Sequence, residues 1–394
     1  MSRVLVASLV ASLLTMASLG GVAWAAPDFA LKEPSVVLID QATGAVLYAK
    51  NPDRPFPPGD LAQLMTAEVI FDALDGGSIK PDDAYRVSDH AWRTGGAKAK
   101  GPKMFAAPRS EISVEDLLTG LAVTDGDDAA IVLAEGSSGS EDAFAGKMNA
   151  EAAALGMATT HFADPAGLDL TASHTTAADM AKLAFRIVEG HPDRMRYFSI
   201  PDFTWSKIRQ VNKNLLLAAN VGADGFKIAK FDKSAALVGT ATRDGRRLVV
   251  VLMGARDAKQ ASDDAARLIE WGFSGFTAKA LFKKNEIVGS AQVYGGASGS
   301  VPLAVERDLV GMAPRGAGAG RLTGRIDYRG PLAAPVSAGV EVARLKVYGG
   351  DQLVLDAPLR TAAAVAAGPL PIRAWDSAVE YVTGRIRKAF AKIQ

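Results

Sequence analysis

The chain has 394 residues, 48% hydrophobic and 22% charged, a size and composition that call for two domains with ordinary apolar cores. Lys and Arg number 44 against 43 Asp and Glu, a net charge of +1, so no global field draws nucleic acid and none is expected as a partner. The absence of cysteine removes thiol catalysis, disulfides and cysteine-ligated zinc, and it suits folding in an oxidising compartment.

Residues 1–25 place Arg3 before an apolar run from Val4 to Val22 and close on Ala23-Trp24-Ala25, the pattern of a secretory signal cleaved before Ala26. An uncleaved anchor is the rival reading, which the Ser, Thr and Gly content of the run disfavours. No later run has the character of a membrane-spanning helix.

From Ser35 to Asn51 two apolar stretches flank Gln41-Ala42-Thr43-Gly44, a hairpin pattern. After Pro57-Pro58-Gly59 the period turns helical through Leu61, Leu64, Met65, Val69 and Ile70. Helices are expected next over Val114 to Val123, Ala129 to Glu135, Ser140 to Leu155 and Thr176 to Val188, the last opening on the near-capping sequence Thr176-Ala-Ala-Asp179. Strands Ala235 to Arg243 and Arg247 to Met253 flank Asp244-Gly245, and a helix from Ala258 to Trp271 follows. Strands at both ends with helices between predict an α+β fold with a mainly antiparallel sheet over residues 26–275.

Residues 276–360 read as a small all-β domain, with strands at Glu286 to Tyr294, Val301 to Glu306, Arg321 to Tyr328 and Ala343 to Tyr348, and with Ala313 to Gly320 as a loop. Thr361 to Pro369 reads as a linker. Over residues 371–394 Trp375, Val379, Val382, Ile386, Phe390 and Ile393 make one apolar stripe flanked by Arg373, Arg385, Arg387, Lys388 and Lys392. A helix of that kind suits an anionic membrane surface. Docking on its own domain is the commoner use of such a stripe.

Several segments taken together resemble the penicillin-binding D-alanyl-D-alanine carboxypeptidases. They are the Ser35 to Lys50 hairpin, Pro58-Gly-Asp60-Leu-Ala-Gln63-Leu-Met-Thr66, Leu117-Leu-Thr-Gly-Leu-Ala-Val123 leading to Asp128-Ala-Ala130, His161-Phe-Ala-Asp164-Pro-Ala-Gly-Leu-Asp169, and Phe203-Thr-Trp205 with Gln210-x-Asn212-Lys213-Asn214. The resemblance covers nearly the whole mature chain. It implies a β-lactamase/transpeptidase-like domain, a small β domain and a terminal helix at the membrane, with peptidoglycan or a cell-wall enzyme as partner, a periplasmic location and no cofactor.

The family works through Ser-x-x-Lys, Ser-x-Asn and Lys-Thr-Gly. Here the matching positions read Asp60-x-x-Gln63, Asp125-x-Asp127 and Lys227-Ile228-Ala229, so only Lys227 is kept. A serine hydroxyl needs a base beside it to become a nucleophile, and Gln63 accepts no proton at accessible pH. Loss of such a unit costs on the order of 10⁶ in turnover. The expectation is therefore a binding or regulatory member of the family without its reaction; the rival is a working serine-type carboxypeptidase using other groups in the cleft. Lys227, Arg246 and Arg247 are the candidate anchors for a substrate carboxylate. Asp60 and Gln63 also fit a helix capping box, and Asp60, Asp125 and Asp127 together offer a speculative site for Ca²⁺ or Mg²⁺. His161 and His174 read as ordinary turn residues.

Overall fold

A computed structural model describes residues 29–231, 233–315, 322–349 and 352–370. The expected signal segment and the expected basic helix over 371–394 lie outside the described residues. Among those described, no helix is long and apolar enough to cross a membrane.

In the first domain β1 (Ser35–Asp40) and β2 (Val46–Lys50) form the opening hairpin, and β3 (Ala84–Arg86) pairs with β4 (Glu111–Ser113). A second hairpin joins β5 (Asp202–Trp205) to β6 (Ile208–Val211), followed by β7 (Ala223–Lys230), β8 (Ala235–Arg243) and β9 (Arg246–Ala255). The helices are α1 (Ala62–Asp75), α2 (Asp89–Thr94), α3 (Val114–Thr124), α4 (Asp127–Ser138), α5 (Glu141–Ala154), α6 (Ala177–Gly190), α7 (Arg196–Ser199) and α8 (Ala258–Gly275). Five strands make one antiparallel sheet in the order β2-β1-β9-β8-β7, the α+β arrangement expected.

Strand alternation divides the domain into layers. Val36, Leu38, Leu237, Leu248, Val250 and Leu252 point to one face, where α8 covers them with Ala265, Leu268 and Ile269. Val37, Val238, Val249, Val251 and Met253 point to the other, into the core beneath α1, α3, α4 and α6. The Thr176 hydroxyl accepts from the Asp179 amide, the cap its sequence predicts, and Ser113, Ser140 and Asp257 act likewise on their own helices.

The second domain follows α8 directly. Strand β10 (Phe276–Phe282) pairs with β13 (Leu309–Pro314), so Ala313 and Pro314, expected in a loop, lie in a strand. The remaining strands are β11 (Ile287–Tyr294), β12 (Ser300–Val305), β14 (Leu322–Tyr328), β15 (Leu332–Ala333), β16 (Glu341–Gly349) and β17 (Gln352–Thr361), in the sheet order β14-β16-β17-β12-β11-β15. Phe276 and Met312 join the core under α8, which fastens this domain to the first.

The expected linker is not free. Val365 is buried and pairs with Val336, Ala367 pairs with Gly296, and the Gly368 amide donates to Gly295, so residues 361–368 lie along the β domain as part of it.

Candidate functional site

A cleft of about 500 Å³ opens in the first domain where the start of α1, the α3–α4 junction and the end of β7 meet. Asp60 sits in the 3-10 turn Gly59–Leu61 that precedes α1, and Gln63 is in the first turn of α1 itself. Asp125 caps α3 in the left-handed conformation, at φ 54° and ψ 36°, and Asp127 opens α4 two residues later. The tight α3–α4 turn therefore projects both carboxyls toward the start of α1. The loop after α5 forms a wall because Asp164 gathers the amides of Ala166, Gly167, Leu168 and Asp169. Gly167 has φ +81°, and a Cβ on it would lie 1.9 Å from the Gly59 carbonyl oxygen, so only glycine lets this wall close on α1. The opposite wall, Lys100 to Pro102, is fixed by the Asp127 amide donating to Pro102 and by the Asp128 carboxyl accepting from Met104 and Ala106.

The polar groups of the floor are connected. The Gln63 side-chain amide donates to the Asp125 carbonyl at 3.1 Å and to Asp127 Oδ1 at 3.2 Å. Asp127 Oδ2 and Gln63 Oε1 are buried without a hydrogen-bond partner. The Lys227 ammonium reaches Asp125 Oδ1 at 2.7 Å and the Leu121 carbonyl at 2.5 Å. Burial, followed by the neighbouring Asp60, Asp128 and Asp125 carboxyls, pushes Asp127 up to about 9. Asp60 is raised to about 7, first by burial and then by Asp125, with Lys227 and the Lys230 amide acting against the shift.

The motif positions Asp60, Gln63, Asp125, Asp127 and Lys227 thus converge, while several of their expected roles change. Asp60 and Gln63 form no capping box: the N-cap residue of α1 is Leu61, neither it nor Pro58 caps with a side chain, and a 3-10 turn holds Asp60 apart from the helix. Gln63 spends its amide across the cleft instead. Lys227 is 1% exposed and does not line the cleft, so Asp125 and Leu121 hold the charge expected to meet a substrate. Arg246 pairs with Asp40 at 2.6 Å, and Arg247 with Asp224 at 2.8 Å; both partners lie far off in sequence, and neither arginine lines the cleft.

The speculative cation site is not assembled either. Asp60, Asp125 and Asp127 do not bring one oxygen each within 4.8 Å of one another, because Asp125 turns to Lys227 and Asp127 to Gln63. His161 and His174 face each other across a backbone bridge, as turn residues do.

Sequence reasoning missed the rim. Lys100, Lys213, Lys230, Phe231, Leu168 and Leu170 all line the cleft. Lys230 and Phe231 directly follow the Lys227-Ile228-Ala229 strand, a proximity that would have pointed to them. Lys100 belongs to a stretch without periodicity, brought in by the long-range ties of Asp127, Asp128 and Gln210.

Comparison with known proteins gives a consistent result. The family profile for D-alanyl-D-alanine carboxypeptidase (peptidase S11) matches residues 22–257, and that for the C-terminal domain of penicillin-binding protein 5 matches residues 276–367. The chain is 32% identical over 366 residues to the D-alanyl-D-alanine carboxypeptidase DacD of Salmonella typhimurium, covering 91% of this chain and 94% of that protein. It is 34% identical over 285 residues to DacA of Escherichia coli, covering 72% and 71%. Among solved structures, penicillin-binding protein 5 of Haemophilus influenzae superimposes with a TM-score of 0.73 at 30% identity, covering 86% of this chain and 98% of that one. Penicillin-binding protein 6B of Escherichia coli gives 0.66 at 29% identity, with 84% and 96% covered. The chain belongs to the D-alanyl-D-alanine carboxypeptidase family.

Proposed function

We propose that this chain is a non-catalytic member of its family, exported to the periplasm and held at the outer face of the inner membrane, where it binds peptidoglycan stem peptides without cleaving them. One observation carries the reading: where acyl transfer needs a hydroxyl and an amine base within hydrogen-bond reach, the cleft holds the Asp60 carboxyl and the Gln63 amide. Among the described residues no neighbouring hydroxyl stands in for the missing one. Thr66 is buried and donates to the Pro165 carbonyl at 2.6 Å, and Thr124 donates to the Gly120 carbonyl at 2.7 Å. The third motif offers no help, since its lysine is enclosed by Asp125 and its last two residues are the buried, apolar Ile228 and Ala229.

Incubation of the purified protein with a fluorescent penicillin, read by intact mass, tests this directly. No acyl adduct is expected, and no free D-alanine from a pentapeptide. A stable adduct, or penicillin-sensitive release of D-alanine, returns the chain to the working carboxypeptidases. For the membrane placement, deletion of residues 371–394 is expected to shift the protein from the membrane fraction to the soluble one; unchanged partitioning defeats that part of the reading.

A further inference from the structure

We infer that the cleft accepts a zwitterionic amino-acid end group, a primary ammonium and a carboxylate on one carbon, with the ammonium on Asp60 and Asp127 and the carboxylate on the lysine rim. The inference rests on the binding role proposed above, because a group held without being cut must be matched in its ground state.

The floor has more acceptors than donors. Asp127 is 1% exposed, its Oδ1 takes the Gln63 amide at 3.2 Å, and its Oδ2 lies buried at the cleft with no partner. Gly101 leaves room for that oxygen, since a Cβ there would sit 2.1 Å from it. Asp60 lines the same floor, with the Lys230 amide as its hydrogen-bonding neighbour. Lys227 cannot neutralise an arriving group, being closed in by Asp125 and Leu121. A carboxylate arriving alone would meet carboxyls, whereas an ammonium brings three N–H donors to oxygens that lack them.

The rim is cationic. Lys100, Lys213 and Lys230 line the mouth of the cleft, and among the described residues no carboxylate pairs with their ammonium groups. Leu168 and Leu170, exposed at 42% and 45%, stand beside Phe231 as an apolar wall for the aliphatic part of the ligand. Acceptor-rich floor, positive rim and apolar side together fit an α-amino acid terminus carried on a short alkyl chain.

Proton linkage makes the inference distinctive. With Asp127 held near 9 and Asp60 near 7, at pH 7 the first carries a proton and the second does so about half the time. An ammonium lowers both, so its binding expels protons into the buffer.

Calorimetry at pH 7 tests it, with an N-acetylated tripeptide ending in diaminopimelate, the same peptide acetylated on its side-chain amine, and a peptide ending in D-Ala-D-Ala. The first is expected to bind, with a heat that varies with buffer ionisation enthalpy as release of about one proton requires. Acetylation of the amine is expected to weaken binding at least about tenfold, as are Asp60→Asn and Asp127→Asn, each of which turns a donor toward the ammonium. Thermal unfolding of both variants checks that they fold. Equal affinity for the amine-acetylated peptide, preference for the D-Ala-D-Ala peptide, proton uptake, or no binding by any of the three overturns the inference. None of these results bears on the penicillin test, which alone decides whether the chain is catalytic.

Discussion

Helix α1 serves two polar clusters, and their charge balance differs. Near its C-terminal half, Glu68, Asp72 and Asp75, with Glu151 of α5 at 3.8 Å from Arg186, face Arg186, His191 and Arg194, so each base has at least one carboxylate partner. Arg186 contacts Glu68 at 2.7 Å and Asp72 at 2.5 Å, His191 contacts Asp75 at 2.6 Å, and Arg194 pairs with Asp75. At its N-terminal end, Gln63 reaches into a cleft where Asp60, Asp125 and Asp127 share the one enclosed Lys227. The first cluster ties α1 to α6 and gives each of its bases a carboxylate partner, leaving Glu68 Oε2 as its one buried side-chain atom without a hydrogen bond among the described residues. The second keeps two carboxyls displaced toward their neutral forms and two oxygens, Asp127 Oδ2 and Gln63 Oε1, without a donor, an arrangement that a ligand can complete.

Removing the enclosed cation sharpens the contrast most. Lys227→Met leaves Asp125 buried at 4% exposure with its ion-pair partner gone, and a buried pair broken from one side costs roughly 3–5 kcal/mol. Chemical denaturation is the measurement. A loss under about 1 kcal/mol would mean that Lys227 is not the structural cation of the cleft.

Asp127→Asn is expected to act in the opposite direction. An acid raised to about 9 in the folded state must take up a proton on folding at any pH above its unfolded value, so it destabilises increasingly from about pH 4 to about pH 9. Asparagine keeps the shape and removes that uptake. The variant should gain roughly 2–4 kcal/mol at pH 7, and the gain should vanish near pH 4. A variant more stable than its parent yet poorer at holding an amine would mark Asp127 as a group retained for binding. Gly101→Ala is a milder strike at the same oxygen: its Cβ falls 2.1 Å from Asp127 Oδ2, and overpacking of that kind costs about 1–3 kcal/mol in a thermal melt, with ligand binding lost alongside.

How far the sequence disclosed these two clusters follows from the range of the forces involved. Strand period and local capping are short-range, so β8, β9 and the Thr176 cap stand where alternation and an N-cap hydroxyl put them. Motif spacing was equally legible, and Asp60, Gln63, Asp125 and Asp127 do meet. What stayed hidden depends on partners distant in the chain. Lys227 is enclosed because a left-handed Asp125 turns its carboxylate back onto β7. Arg246 and Arg247 are claimed by Asp40 and Asp224, and Asp128 draws the Met104 to Ala106 segment toward the cleft. Residues 361–368 read as a linker because small residues pair through their backbones, which composition does not reveal.

The cluster around His191 offers the smallest and most selective test. Burial pulls the His191 imidazole down, but Glu68, Asp75 and Asp72 outweigh it and hold the ring above its ordinary value. A base raised on folding contributes stability that is complete below its unfolded pKa, about 6.5, and is lost as pH rises through the higher folded value. His191→Gln keeps a donor but not the charge. It should lose about 1.5 kcal/mol at pH 6, the worth of a hydrogen bond to a charged group, and the gap to the parent should close as the pH is raised toward 9. Asp127→Asn separates from it by direction, since its advantage over the parent widens over the same interval. Difference curves for the two variants, measured by urea unfolding at several pH values, would set the paired cluster apart from the unpaired one. Parallel curves would show that the two ends of α1 titrate as a single network.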